Sequence, residues 1–279
     1  MKAPFAYYGG KMGMAQRIIG LMPRHRVYIE PYFGSGAVYF AKPPVPVEIL
    51  NDADAGVVAF FTALRDDPAE LERRCALSPH ARAEFTASIE PADDPMELAR
   101  RFWVRVNQSF SKTGSLAASA GWSITTARNQ SIPGSIRGRL GRFAVCADRL
   151  AGATIEHCDG AELIARLATA DTLAYVDPPY LNSTRSNRSQ GYQDYRHDMG
   201  RDADHECLAE VLAATPAAVI LSGYPSPLYD RLYAGWHRVE VPVRVHSSNA
   251  VSIERGERTE VLWTNFEPAA GQLSLIGEA

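Results

Sequence analysis

The 279-residue chain is poor in cysteine, and the four it has, Cys75, Cys146, Cys158 and Cys207, are scattered. They form no C-x-x-C pair and have no His-x-x-x-His nearby, which argues against a zinc centre or a disulfide framework and fits a reducing compartment. No metal is expected. No apolar run approaches the ~18–20 residues of a membrane span, and the start lacks the continuous apolar core of a secretory signal. A cytoplasmic protein without a membrane partner is the expectation. Internal repeats and low-complexity tracts are missing too.

Three common signatures are incomplete. Gly34-Ser35-Gly36 lacks the third glycine of the dinucleotide fingerprint. Gly10-Lys11 is followed by Met12, and Phe5 stands where a phosphate-cradling loop needs its first glycine. Phe33 likewise occupies the leading glycine position of a nucleophile elbow around Ser35. Dehydrogenase, P-loop and serine-hydrolase readings lose their support. Composition is otherwise ordinary: 46% hydrophobic and 22% charged residues suit a globular enzyme with one sizeable core and a smaller insert.

One region is short of acid. Residues 101–150 hold Arg101, Arg105, Lys112, Arg128, Arg137, Arg139, Arg142 and Arg149 against Asp148 alone, a net +7 in a chain whose total is −3. The near-neutral average hides a dipolar distribution, and a concentrated positive segment is the footprint of phosphate contact. With acidic neighbours almost absent, these arginines are not expected to be satisfied internally.

The most informative feature present is Asp177-Pro178-Pro179-Tyr180. It ends the apolar run Leu173-Ala174-Tyr175-Val176, which reads as a buried strand. Two prolines donate no hydrogen bonds and stop the strand there. A carboxylate, a proline carbonyl and an aromatic ring thus emerge together at a strand's C-terminal end, the edge where open α/β sheets bind ligands. The trio suits an exocyclic amine on a flat ring: Asp177 and the Pro178 carbonyl accept its two N–H bonds and Tyr180 stacks on the ring. Near the start, Val27-Tyr28-Ile29 followed by Glu30-Pro31-Tyr32-Phe33-Gly34-Ser35-Gly36 and Ala37-Val38-Tyr39-Phe40-Ala41 reads as strand, glycine turn and helix. The glycines allow positive φ and close approach of a ligand to the turn and the first helical N–H groups. Glu48-Ile49-Leu50-Asn51-Asp52 is a second strand ending in an acid, where a ribose hydroxyl pair would be held.

In this order (Tyr7-Tyr8-Gly9-Gly10-Lys11, the glycine turn, Asp52, then the late Asp-Pro-Pro-Tyr) the chain resembles the Dam-like, alpha-group DNA adenine N6-methyltransferases. Cys158-Asp159, Leu221-Ser222-Gly223-Tyr224 and Glu260-Val261-Leu262-Trp263-Thr264-Asn265 also fall where that group has motifs. The resemblance covers nearly the whole chain. It implies site-specific methylation of a flipped-out adenine in double-stranded DNA, with S-adenosylmethionine as cofactor and a bacterial or phage origin. It also implies Tyr7, Tyr8, Lys11, Glu30, Pro31, Phe33, Gly34, Ser35, Gly36 and Asp177 around the cofactor, its methionine part held by the first three and the glycine turn. Asp52 would take its ribose and Asp159 its adenine. A cognate restriction endonuclease is a partner the resemblance allows. Because Asp-Pro-Pro-Tyr reads an amine rather than a base, cytosine N4 or guanine N2 in RNA stays open as the target, and a non-catalytic DNA-binding subunit is the reading from another class.

The expected fold is α/β: a Rossmann-like class I methyltransferase sheet with strands near 27–29, 47–51, 154–156, 172–176 and 217–222, and helices on both faces. Trp236–His246 and Arg258–Thr264 read as a C-terminal antiparallel hairpin on one sheet edge. Residues 1–65 and 151–279 form the catalytic domain, and 66–150 a mainly helical target-recognition insert. Asp67-Pro68 opens one helix, with Leu71, Cys75 and Leu77 as its apolar positions, and Ser78-Pro79 another; Leu98, Phe102 and Val106 repeat at core spacing. Ser123–Thr126 suits a strand leading into Arg128-Asn129-Gln130, side-chain types that read bases in the major groove, while Lys112, Arg137, Arg139 and Arg142 suit phosphates. Residues 182–201 form a long polar loop expected to close over substrate. His205 then opens a helix, in a packing role.

Overall fold

The computed structural model describes residues 1–7, 9–109, 121–124, 131–181, 199–244 and 257–268. Among these, seven strands form one sheet: β1 (Val27–Glu30), β2 (Val47–Asn51), β3 (Ala153–Glu156), β4 (Thr172–Val176), β5 (Ala218–Gly223), β6 (His237–Arg244) and β7 (Glu257–Thr264). Their order across the sheet is β3-β2-β1-β4-β5-β7-β6. The first five pair in parallel, and β7 runs antiparallel to both β5 and β6, so the hairpin closes the edge as the alternation of its residues requires. β4 is buried along its whole length, as an apolar run in a sheet covered on both faces must be. From β1 the chain steps outward to β2, and from β4 it steps the other way to β5. The crevice between β1 and β4, which pair Ile29 with Ala174, is therefore the topological switch point where such sheets hold ligands.

The helices are α1 (Ala15–Gly20), α2 (Ala37–Ala41), α3 (Ala55–Asp66), α4 (Pro68–Leu77), α5 (Arg82–Ala87), α6 (Pro95–Gln108), α7 (Ile132–Leu140), α8 (Phe143–Leu150), α9 (Gly160–Leu167), α10 (Asp202–Ala214) and α11 (Pro227–Leu232). Asp67 and Asp94 cap α4 and α6 by accepting first-turn N–H bonds, each followed by a proline whose missing donor costs nothing there. Ser78-Pro79 does not start a helix. Ser78 ends α4, its hydroxyl donating back to the Arg74 carbonyl at 2.9 Å, and α5 begins only at Arg82. Of the apolar positions of α4, Leu71 and Cys75 are buried and Leu77 is exposed at its end.

Helices of the 66–150 segment share their core with the sheet. Phe60 of α3 stacks on Trp103 of α6 at 6.0 Å between centroids, Trp103 meets Phe143 of α8 edge-on at 5.0 Å, and Phe5 meets Phe60 at 5.0 Å. One buried apolar cluster runs from Phe102 and Trp103 through Phe60 and Phe61 to Leu50 and Leu173. Beyond α6, Trp122 forms an isolated bridge with Ser109 and stacks on His80 at 5.1 Å; Ser123 and Ile124 are not in a strand. Residues 125–130, with Arg128, Asn129 and Gln130, lie outside the described residues, as do Tyr8, Lys112 and most of the 182–201 loop.

The expectation that the basic segment lacks internal partners is overturned. Arg101 pairs with Glu97 at 2.8 Å, and buried Arg105 donates to the Ser88 carbonyl at 3.1 Å. Arg139 donates to the Asn107 side-chain oxygen, Arg142 to the Ala3 carbonyl at 2.9 Å, and Arg149 to Glu48 on β2. Every acceptor but Asn107 lies outside residues 101–150, so a charge count taken inside that window could not reveal them. Arg137 stays exposed, with no hydrogen-bond or ion-pair partner among the described residues.

Candidate active site

The turn after β1 is built on two glycines in the left-handed region, Gly34 at φ 51° and Gly36 at φ 66°. A side chain would fit at neither: a Cβ on Gly36 would lie 2.4 Å from the Phe33 ring, and one on Gly34 3.1 Å from the Tyr7 ring. The turn is tied to the end of β2, where Gly34 N donates to Asp52 Oδ2 at 2.8 Å and Phe33 N to the Asn51 carbonyl at 2.8 Å. Asn51 extends the lacing. Its side-chain amide donates to the carbonyls of Pro31 and Cys158 at 2.9 and 3.0 Å, joining the turns after β1, β2 and β3. Asp159 then caps α9 by accepting from Ala161 N and Glu162 N.

At the end of β4, three donors converge on a single oxygen of Asp177. Ser222 on β5 donates to Oδ1 at 2.7 Å, Lys11 Nζ lies 3.0 Å from it, and the Tyr180 hydroxyl reaches it at 3.2 Å. Oδ2 accepts from none of the described residues. The Tyr175 hydroxyl lies 3.2 Å from Ser222 Oγ and fixes it from below, because alternation along β4 puts Tyr175 and Asp177 on one face. Glu260 on β7 completes the group, 3.6 Å from Lys11 Nζ and 3.4 Å from the Tyr180 hydroxyl. Lys11 also donates to the Gly9 carbonyl at 2.8 Å and stands 4.8 Å from the Tyr180 ring centroid. Tyr180 meets the Tyr224 ring edge-on at 4.8 Å.

These two turns wall a cavity of about 460 Å³ that runs from Asp159 and Gly160 past Asp52 and the glycine turn to Asp177–Tyr180. Two carboxylates of its lining, and Glu260 behind it, are displaced upward. Burial raises Glu30 to about 8, although the Tyr28 hydroxyl donates to it at 2.7 Å, so at neutral pH it holds a proton and can donate. Burial raises Asp52 to about 7, against the stabilising N–H bonds of Asp54 and Gly34. Glu260 is raised by burial, with Lys11 opposing. Burial pulls the Lys11 ammonium down, but Asp177 and Glu260 outweigh it and the net displacement is upward.

The sequence-derived residues Tyr7, Lys11, Glu30, Pro31, Phe33, Gly34, Ser35, Asp52, Asp159, Asp177, Pro178, Pro179 and Tyr180 all border this cavity, with Gly36 one layer behind. Lys11 was expected at the cofactor's methionine end; its ammonium pairs with the Asp177 carboxylate. Arg137, Arg139 and Arg142 lie away from the cavity; Arg137 is exposed and the other two are half-buried. Sequence reasoning missed Ser222, Glu260 and Asn51. The available signal was polarity inside apolar strands, a serine closing Val219-Ile220-Leu221 and a glutamate opening Val261-Leu262-Trp263.

A cavity at the switch point, a glycine turn joined to an acid on the next strand, and an oriented carboxylate before two prolines are what amine methylation needs. Comparison with known proteins agrees. A stretch of 67 residues, 24% of this chain and 9% of the relative, is 33% identical to the DNA N-6-adenine-methyltransferase of Escherichia phage P1, so the match spans a small part of that protein. Residues 7–246, which hold the glycine turn, Asp52 and Asp177–Tyr180 alike, match a single family, and the chain belongs to it: the D12 class N6 adenine-specific DNA methyltransferases.

Proposed function

We propose that the protein methylates the N6 amine of an adenine flipped out of duplex DNA, using S-adenosylmethionine. The observation that carries this is Asp177, whose Oδ1 is held by Ser222, Lys11 and Tyr180 while Oδ2 accepts nothing from the described residues. An anchored carboxylate with one oxygen available is an acceptor aimed at an amine, beside the Pro178 carbonyl at the same strand end.

The cavity suits the cofactor. Gly34 and Gly160 leave room that a Cβ would fill, at 3.1 Å from Tyr7 and 2.8 Å from Tyr32, and the acidic lining matches a cationic sulfonium and a ribose diol. When bound, S-adenosylmethionine supplies an already activated methyl group. The chain's own residues supply geometry and charge. Asp52 and Asp159 are the acceptors for ribose and adenine, and the glycine turn allows close approach of the methionine part. The target amine is a weak nucleophile because its lone pair is delocalised into the ring. Asp177 and the Pro178 carbonyl draw it toward tetrahedral geometry and stabilise the positive charge that grows on nitrogen. Tyr180 stacks on the base, and in-line positioning supplies most of the remaining rate. Exposed Arg137 would contact phosphate, and Lys112, Arg128, Asn129 and Gln130 remain the proposed contacts of the recognition segment.

The experiment incubates the protein with duplex DNA and labelled S-adenosylmethionine, then digests the DNA and identifies the methylated nucleoside by mass. Label on adenine N6 is expected; label on cytosine alone, or none, overturns the reading.

A further inference from the structure

We propose that Glu260 is a positioning residue for the methyl transfer: from β7, it holds the Lys11 ammonium and the Tyr180 hydroxyl so that both stay on Oδ1 of Asp177. This rests on the function proposed above and deepens it. Lys11 and Tyr180 each bridge the same two carboxylates, Lys11 at 3.0 and 3.6 Å and Tyr180 at 3.2 and 3.4 Å from Asp177 and Glu260. Glu260 is almost fully enclosed and borders no part of the cavity, so it acts through these two groups and not on substrate.

The need for a second carboxylate is electrostatic. Lys11 is 4% exposed, and burial alone would favour its neutral form. The groups facing it are Asp177, Glu260 and the phenol of Tyr224; those facing Glu260 are Lys11, Asp177, Tyr180 and Tyr175. Only two of these are carboxylates. A neutral Lys11 would bond Asp177 weakly and release Oδ1, and the carboxylate would then turn away from the amine. Glu260 keeps the ammonium charged and stops it from neutralising Asp177 outright.

Two measurements on the full chain test this. The chain has four lysines, Lys2, Lys11, Lys42 and Lys112, so the Lys11 ammonium can be followed by nitrogen NMR during a pH titration, with or without activity. In Glu260→Gln its midpoint should fall by on the order of one pH unit or more, and in Glu260→Asp it should return toward the wild-type value. In methyl transfer, Glu260→Gln should lower kcat by up to about a hundredfold, the cost of a misplaced group. Cofactor KM should change little, and the alkaline limb of the kcat profile should move to lower pH with the Lys11 midpoint. An unmoved Lys11 midpoint, or a loss of kcat at every pH without a displaced limb, overturns the proposal. Wild-type protein that leaves adenine unmethylated fails the functional reading instead, and the NMR titration still decides for or against Glu260.

Discussion

At the scale of single residues, Asp177 and Asp52, proposed as the acceptors of the target amine and of the cofactor ribose, should separate cleanly under mutation. Asp177→Ala should abolish methyl transfer, because the amine loses its charged acceptor, while calorimetry should find cofactor affinity largely kept. Asp52→Ala should do the reverse, weakening cofactor binding by ~1–3 kcal/mol through the lost charge-assisted bond. Asp52 also makes binding depend on pH. Its folded value is about 7 against an ordinary 3.8, so this carboxylate ionises only as pH rises through neutrality, and on the proposed ribose role cofactor affinity should rise with it. The same displacement acts on stability with the opposite trend. The folded chain holds a proton that the unfolded chain has released, so this stabilisation is complete below about pH 4 and is lost as pH rises through about 7. Asp52→Asn should flatten that part of a melting-temperature profile. Asp177 and Asp52 were legible in the sequence because each ends a recognisable strand. Ser222 and Glu260 showed only as polar residues at the ends of apolar runs; their contact with the Asp177 group comes from lateral pairing, β5 beside β4 bringing Ser222 to Asp177, which no local pattern states.

Among the elements, α7 tests how much of the positive segment serves DNA. Arg137 is exposed, whereas half-buried Arg139 and Arg142 each donate a bond inward, to Asn107 and the Ala3 carbonyl. Arg137→Ala should therefore flatten the log-affinity versus log-salt slope by about 0.9 on duplex DNA if it meets a phosphate. Arg139→Ala and Arg142→Ala should mainly lower the melting temperature. A salt titration and a thermal melt of each variant distinguish the two outcomes. The sheet strands were read from the sequence to within a residue or two, because apolar runs bounded by glycine, proline and acid leave little choice; Ser123 and Ile124, read as strand on β-branched content without such a run, form none. The start of α5 was misread, since a serine before a proline serves equally well to end the preceding helix, and its hydroxyl was taken by the Arg74 carbonyl. The internal use of the arginines was invisible for another reason: the Glu48 that receives Arg149 is on β2, far back in the chain.

For the molecule as a whole, the shared apolar core predicts a single cooperative unit. Calorimetric and van't Hoff enthalpies of unfolding should agree, with no separate transition for residues 66–150, because Phe60, Trp103 and Phe143 stack across that boundary. The ionic joint at the far side should matter as much. Glu48 receives both Lys42 and Arg149 and is 3% exposed, so Glu48→Ala would strand two enclosed cations and cost about 3–5 kcal/mol, visible as a lowered denaturant midpoint. The sheet order was only partly legible, since a hairpin can be recognised locally but the insertion of β7 between β5 and β6 is a choice among edges. That insertion orders events during synthesis. Asp177 draws its donors from positions 11, 180 and 222, and the second anchor of Lys11 arrives only with position 260. A ribosome-bound chain thus has residues 66–150 and the glycine turn synthesised well before the second anchor of Lys11 exists. A polypeptide cut short ahead of β7 loses the strand that joins β5 to β6 and carries Glu260, and in a single cooperative unit it should neither complete the site nor hold the sheet.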